Sequence, residues 1–131
     1  MAQTREQSEV LIVAIVDDDD AFRRSITRLV RSFGFEVHEY ESAQKFLDSD
    51  VCFLSDCLIV DLRMPETDGL QLVKQLREMK LRIPTIFVSG DVREGDRERA
   101  RELGGSLLEK PFEADSLHKA IEGAVYPRSD G

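Results

Sequence analysis

The sequence predicts an α/β domain, a doubly wound sheet of five parallel strands with five helices on its two faces. Two observations lead there. Short apolar runs rich in β-branched residues alternate five times with segments of helical periodicity, and such alternation implies parallel strands joined by right-handed crossovers. The chain has 131 residues, 41% of them hydrophobic, which suits one domain with a core of ordinary size and leaves no room for a second.

The first run, VLIVAIV at 10–16, is continuously apolar, as in a strand covered on both faces. Phe22, Ile26, Leu29, Val30 and Phe33 then recur at helical spacing, and Gly34 provides the stop. FEVHEY at 35–40 alternates as a half-buried edge strand does, and SAQKFLDS at 42–49 reads as a short helix capped by Ser42. CLIVD at 57–61 is a second buried strand and GLQLVKQLREM at 69–79 a helix, after which Pro84 opens the strand PTIFVS. Residues 92–103 form a charged helix with few apolar anchors, and Gly95 inside it costs about 1 kcal/mol in helix propensity, so a mobile first turn is expected. SLLEK supplies the fifth strand, and Leu117, Ala120, Ile121, Ala124 and Val125 mark a last amphipathic helix within 113–125. The expected domain covers 10–125, with polar, aperiodic tails at 1–9 and 126–131.

Composition excludes several functions. A formal charge of −8 and a pI near 4.8 argue against direct nucleic-acid binding, which needs a concentrated basic patch. Arg24, Arg28 and Arg31 share one helical face, read as an ordinary solvated surface rather than a docking site. With no run of ~18 apolar residues and no signal or transit peptide, neither a membrane partner nor export is expected, and the protein is read as cytoplasmic. Cys52 and Cys57 have no partner cysteines and only His38 and His118 elsewhere, so zinc and CxxC redox chemistry are both excluded and the thiols are read as reduced packing residues. His38 and His118 are isolated and receive no catalytic role.

In doubly wound sheets, ligands sit outside the carboxyl ends of the strands, where the strand order reverses. The residues at those ends are Asp17 and Asp18, Asp61, Ser89 and Lys110. Converging carboxylates repel one another and stay ionised together only when a cation compensates. A hard divalent ion such as Mg²⁺ takes oxygen ligands, keeps several waters and leaves room for a phosphate oxygen. Asp17, Asp18 and Asp61 with Lys110 and one such ion carry no net formal charge, so an incoming phosphoryl group meets no net repulsion. One carboxylate is then free to act as nucleophile while the ion, the Lys110 ammonium and the Ser89 hydroxyl hold the phosphoryl oxygens.

The stretches IVDDD, DLRMPETDG, VSG and EKPF fall in this order on the strand ends. Together they resemble the receiver domain of two-component response regulators, and DLRMP and EKPF are most similar to FixJ-type receivers. The resemblance implies the flavodoxin-like strand order 2-1-3-4-5. It implies Asp61 as phosphoacceptor and Mg²⁺, with Mn²⁺ as an alternative, held by Asp18, Asp61 and the main-chain carbonyl of Arg63, with Asp17 acting largely through water. It implies phosphoryl contacts from Ser89 and Lys110, a cis bond at Lys110–Pro111, and a sensor histidine kinase or phosphotransfer protein as donor. Switching is expected to run from Ser89, with Leu107 turning inward, to a 92–125 face that meets an effector, a partner or a second copy of the chain. The protein so implied is a signalling domain that catalyses only its own phosphorylation and dephosphorylation.

Asp19 and Asp20 need another account, because they stand at the mouth of the first helix. There a carboxylate caps free N–H groups and meets the positive end of the helix dipole, and pairs Asp19–Arg23 and Asp20–Arg24 are expected from i,i+4 spacing. Two positions depart from the receiver pattern: Glu66 stands where glycine is usual after Pro65, and Leu107 where many receivers carry an aromatic. The alternative function is a haloacid-dehalogenase-type phosphatase, suggested by Asp17-x-Asp19, but the chain continues Asp20-Ala21 instead of Gly-Thr and is short for that fold. An EF-hand is excluded, since Phe22 and Arg28 occupy the positions its loop reserves for Gly and Glu.

Overall fold

The first strand, β1 (Ile12–Val16), lies between β2 (Glu36–Tyr40) and β3 (Cys57–Asp61), and β4 (Thr85–Ser89) and β5 (Ser106–Glu109) complete the sheet. All neighbours are parallel, in the order β2-β1-β3-β4-β5, as the sequence led us to expect. The structure is a computed structural model and describes residues 10–126; the tails expected at 1–9 and past Tyr126 lie outside the described residues.

Five helices cover the sheet: α1 (Asp20–Ser32), α2 (Ala43–Leu47), α3 (Gly69–Glu78), α4 (Asp96–Glu102) and α5 (Ala114–Val125). Strand side chains alternate between two cores, because successive residues point to opposite faces. Val13, Ile15, Ile59, Ile86 and Val88 meet Ile26 and Val30 of α1 and Leu117 and Ile121 of α5. On the other face Ala14, Val16, Leu58, Val60 and Phe87 meet Phe46, Leu72, Leu76 and Ala100 of α2, α3 and α4. Both free thiols are buried, one in each core, and burial pushes the Cys57 thiol up to about 12. They pack as expected and stay protonated.

One element is added to the sequence reading and two local readings are corrected. A 3₁₀ turn at Asp50–Phe53 precedes β3; it is too short to show periodicity. Helix α4 begins at Asp96, not at 92, and Gly95 stands outside it as N-cap with φ 87°. That left-handed backbone is where glycine costs least, so the propensity penalty expected of an interior Gly95 does not arise. The ion pairs expected at α1 are redistributed. Arg23 is buried and pairs with Asp20 at 2.7 Å and with Glu39 of β2 at 2.9 Å, while Nη1 donates to the Asp17 carbonyl at 2.7 Å. Burial alone would weaken its charge, but the Asp20 and Glu39 carboxylates outweigh it and hold the guanidinium above its ordinary value. Among the described ion pairs none joins Asp19 to Arg23 or Asp20 to Arg24, and Arg24, Arg28 and Arg31 remain exposed. The isolated histidines have structural neighbours: His38 meets Glu36, and His118 stacks on Phe33 with ring centroids 4.1 Å apart.

Two glycines lead to opposite expectations. A Cβ on Gly69 would fall 2.6 Å from the Asp61 carbonyl oxygen, whereas one on Gly123 would meet nothing within 4 Å. Gly69→Ala should therefore lower the unfolding free energy by about 1–3 kcal/mol, and Gly123→Ala should raise it by about 0.5–1 kcal/mol. Urea titrations of both variants check the opposite signs.

Candidate functional site

Parallel register gathers the site. Val16 is paired with Val60, so Asp17 and Asp61 leave the sheet side by side. Asp61 is level with Val88, which puts Ser89 one residue beyond it, and Ser89 is level with Glu109, which puts Lys110 one beyond that. The Lys110 N–H donates to the Ser89 carbonyl at 2.8 Å, and the Lys110–Pro111 bond is cis.

Carboxylate oxygens of Asp17, Asp18 and Asp61 lie within 4.8 Å of one another. Asp17 and Asp61 are buried and Asp18 is exposed. The Lys110 ammonium bridges the two buried acids, 3.1 Å from Asp61 Oδ2 and 3.5 Å from Asp17 Oδ2. Asp17 Oδ1 accepts the Asp19 N–H at 2.9 Å, and Asp61 Oδ1 accepts the Arg63 N–H at 2.8 Å. Burial, opposed by the Asp19 N–H and Lys110 and assisted by Asp61, raises the Asp17 carboxyl to about 6. One ammonium thus leaves the cluster short of positive charge. An all-oxygen donor set with that deficit fits a hard divalent cation.

Ser89 is buried at the same edge, and its hydroxyl accepts the Asp91 N–H at 3.0 Å. Leu107 is packed in the core with Phe87 and Ala100. Asp19 caps α1, accepting the Phe22 N–H at 3.1 Å, and Asp20 is held by Arg23; the run of aspartates is divided between pocket and helix as expected. Glu66 has φ 67°, a left-handed backbone that explains why glycine suits this position.

Three residues escaped the sequence reading. Phe22 places its ring under the Lys110 ammonium, 3.7 Å from centroid to Nζ, and Phe112 meets that ring edge-on at 6.2 Å. The helical spacing of Phe22 made it look like a core residue, and nothing in the sequence tells a ring beside a lysine from one beside a leucine. Asp96 is fully buried and accepts from Arg63 Nη2 at 2.6 Å, the Arg93 N–H at 2.7 Å and Arg99 Nη2 at 2.8 Å. Burial would raise its carboxyl, but these donors outweigh that and hold it below the ordinary range. The third is the Arg63 side chain, which reaches from the residue pair after Asp61 to the start of α4, with its buried Nε unpartnered.

A sequence profile of the response regulator receiver domain matches residues 13–122. Nodulation protein W of Bradyrhizobium diazoefficiens is 37% identical over 121 residues, 92% of this chain and 53% of that protein. The transcriptional regulatory protein FixJ of the same organism is 36% identical over 114 residues, 86% of this chain and 56% of that protein. The crystal structure of FixJ-N superimposes with a TM-score of 0.81 at 32% identity, across 92% of this chain and 97% of that one. This chain spans about half the length of the curated relatives it matches.

The raised Asp17 carboxyl makes stability depend on pH. The folded form binds the proton more tightly than the unfolded one, so ionisation costs stability as pH rises from about 4 to about 6. Above that window the cost is constant, about 3 kcal/mol at most. Asp17→Asn keeps the Oδ1 acceptor and removes the charge. In chelator it should raise the urea midpoint at pH 7 and change it little at pH 4.

Proposed function

The chain belongs to the response regulator receiver domain family of two-component systems, and from that premise we propose that it accepts a phosphoryl group on Asp61 from a sensor histidine kinase or phosphotransfer protein. The observation that carries the reading is the convergence of Asp17, Asp18 and Asp61 with Lys110 at the carboxyl edge of the sheet. In the transfer, an Asp61 oxygen forms the new P–O bond while the P–N bond to the donor histidine breaks and that nitrogen keeps the electron pair. Asp61 ends β3, and the Arg63 N–H on Oδ1 leaves Oδ2, paired with the Lys110 ammonium, as the attacking oxygen.

Asp18, Asp61 and the Arg63 carbonyl would hold Mg²⁺, or Mn²⁺ in its place, with Asp17 acting through water. That ion would neutralise charge developing on the transferring phosphoryl oxygens. Lys110 would turn from Asp61 Oδ2 to a phosphoryl oxygen, and Ser89 would exchange its acceptance of the Asp91 N–H for donation of its O–H to the same group. Because Ser89 opens the segment leading to α4, that exchange would carry the signal to the 92–125 face. The Arg63–Asp96 pair supports this route, since it ties the acceptor loop directly to the first residue of α4.

We assign to that face an effector, attached or separate, or a second copy of the chain; the FixJ and TdiR relatives are named as transcriptional regulators. A cytoplasmic location fits a kinase donor, and no helix among the described residues is long and apolar enough to cross a membrane. The phosphatase alternative gains nothing from the fold, because the chain superimposes on a receiver domain over 92% of its length with a TM-score of 0.81.

Incubation with phosphoramidate and Mg²⁺ should add one phosphoryl group to the intact mass of the wild type and none to Asp61→Asn; uptake by that variant would overturn the assignment. In Mg²⁺ titrations Asp18→Ala should lose at least about tenfold in affinity, the loss of a charged ligand, and Asp20→Ala should lose little. Equal losses would remove Asp18 from the ligand set. No sustained turnover of a chromogenic phosphate ester is expected, and its appearance would favour the phosphatase.

A further inference from the structure

We propose that Phe22 is a positioning residue for the phosphoryl-transfer site: its ring face holds the Lys110 ammonium at the height of Asp61 and lets it turn from carboxylate to phosphoryl oxygen. The proposal rests on Asp61 being the phosphoacceptor, and it adds a residue outside the acidic cluster. The Phe22 ring centroid is 3.7 Å from Lys110 Nζ, and Gly90, where a Cβ would lie 4.0 Å from Lys110 Cδ, sets no side chain against the stem. Phe112, two residues after Lys110 in the chain, packs edge-on against the same ring, so the ring cannot fall away from the ammonium without losing that contact.

A lysine stem has four flexible bonds, and a free ammonium at the pocket mouth would spread over many rotamers. Asp61 Oδ2 and Asp17 Oδ2 accept from it, but each acceptor holds an N–H in one direction. A π face attracts the cation without fixing the direction of any N–H. Lys110 can therefore rotate its hydrogens from Asp61 Oδ2 to a new oxygen while staying over the ring. The ring is itself placed by the aspartate run: Asp17 Oδ1 accepts the Asp19 N–H, Asp19 Oδ1 accepts the Phe22 N–H, and Lys110 returns to Asp17 Oδ2. This closed circuit makes the position of the ammonium depend on the start of α1.

The test compares Phe22→Leu with Phe22→Tyr. Phosphorylation by phosphoramidate at saturating donor and Mg²⁺ should slow about 3- to 30-fold in Phe22→Leu, the rate equivalent of a cation–π contact. Phe22→Tyr should stay within about twofold of wild type, because the π face is retained. Without donor or metal, the Lys110 ε-methylene protons should be shielded by ring current in the wild type and in Phe22→Tyr, and should move downfield in Phe22→Leu. Phe22→Met replaces Phe22→Leu if thermal melting shows the latter unfolded. Unshielded Lys110 protons in the wild type, an unchanged rate in the folded variant lacking the ring, or equal losses in the leucine and tyrosine variants would each overturn the proposal. Failure of the wild type to take up phosphate would instead sink the phosphoacceptor assignment, and the ring-current measurement reads the contact independently of it.

Discussion

Three carboxylates within 4.8 Å at one edge of a parallel sheet repel one another, and much of the architecture near that edge serves to hold them there. The register of β1 and β3 brings the acids together, and the registers of β3 with β4 and of β4 with β5 place Lys110 where its ammonium partly offsets them. Asp17 shows what remains uncompensated, since burial lifts its carboxyl to about 6 even with Lys110 nearby. A site built for a neutral ligand would gain nothing from such crowding. A cation would find the crowding useful, because it would relieve a cost already present in the fold.

The start of α1 absorbs the rest of the negative charge. Asp19 caps the helix and Asp20 neutralises one side of Arg23, whose guanidinium also reaches Glu39 of β2 and the carbonyl of Asp17. Arg23 is buried among these partners, an arrangement in which removing any one acid leaves a charge with unmet donors. The strand end, the helix start and the edge strand β2 are therefore coupled through one side chain. Four consecutive aspartates are tolerated because each has a different electrostatic task.

Periodicity and the strand-end residues made the five-strand, five-helix alternation legible from sequence, and Asp17, Asp18, Asp61, Ser89 and Lys110 could be placed on one edge before any coordinates. What was not legible has a common cause. The pairing of Arg23, the burial of Asp96 and the contact of Phe22 with Lys110 are decided by residues distant in sequence, and side-chain type alone does not select among several neighbours. The 3₁₀ turn and the true start of α4 are short-range features, but both lie in segments too brief or too charged for hydrophobic periodicity to mark. Gly95 was misplaced for that reason: charge on every side of it hid the boundary that its own positive φ creates.

The loop after Asp61 departs most from local preference, and its departures share a geometric purpose. Glu66 takes a left-handed backbone, Gly69 approaches the Asp61 carbonyl more closely than any Cβ allows, and an Asp68–Gln71 capping box fixes the start of α3. Arg63 extends from the same loop to the buried Asp96. A loop free to relax would let the Asp61 carboxylate drift. One pinned between α3 and α4 would pass any displacement at Asp61 to its anchors, because packed elements shift as units and do not deform gradually. The left-handed backbone at Glu66 and the buried charge at Asp96 thus belong to one mechanical requirement, that the residues beside Asp61 hold a fixed position relative to both helices.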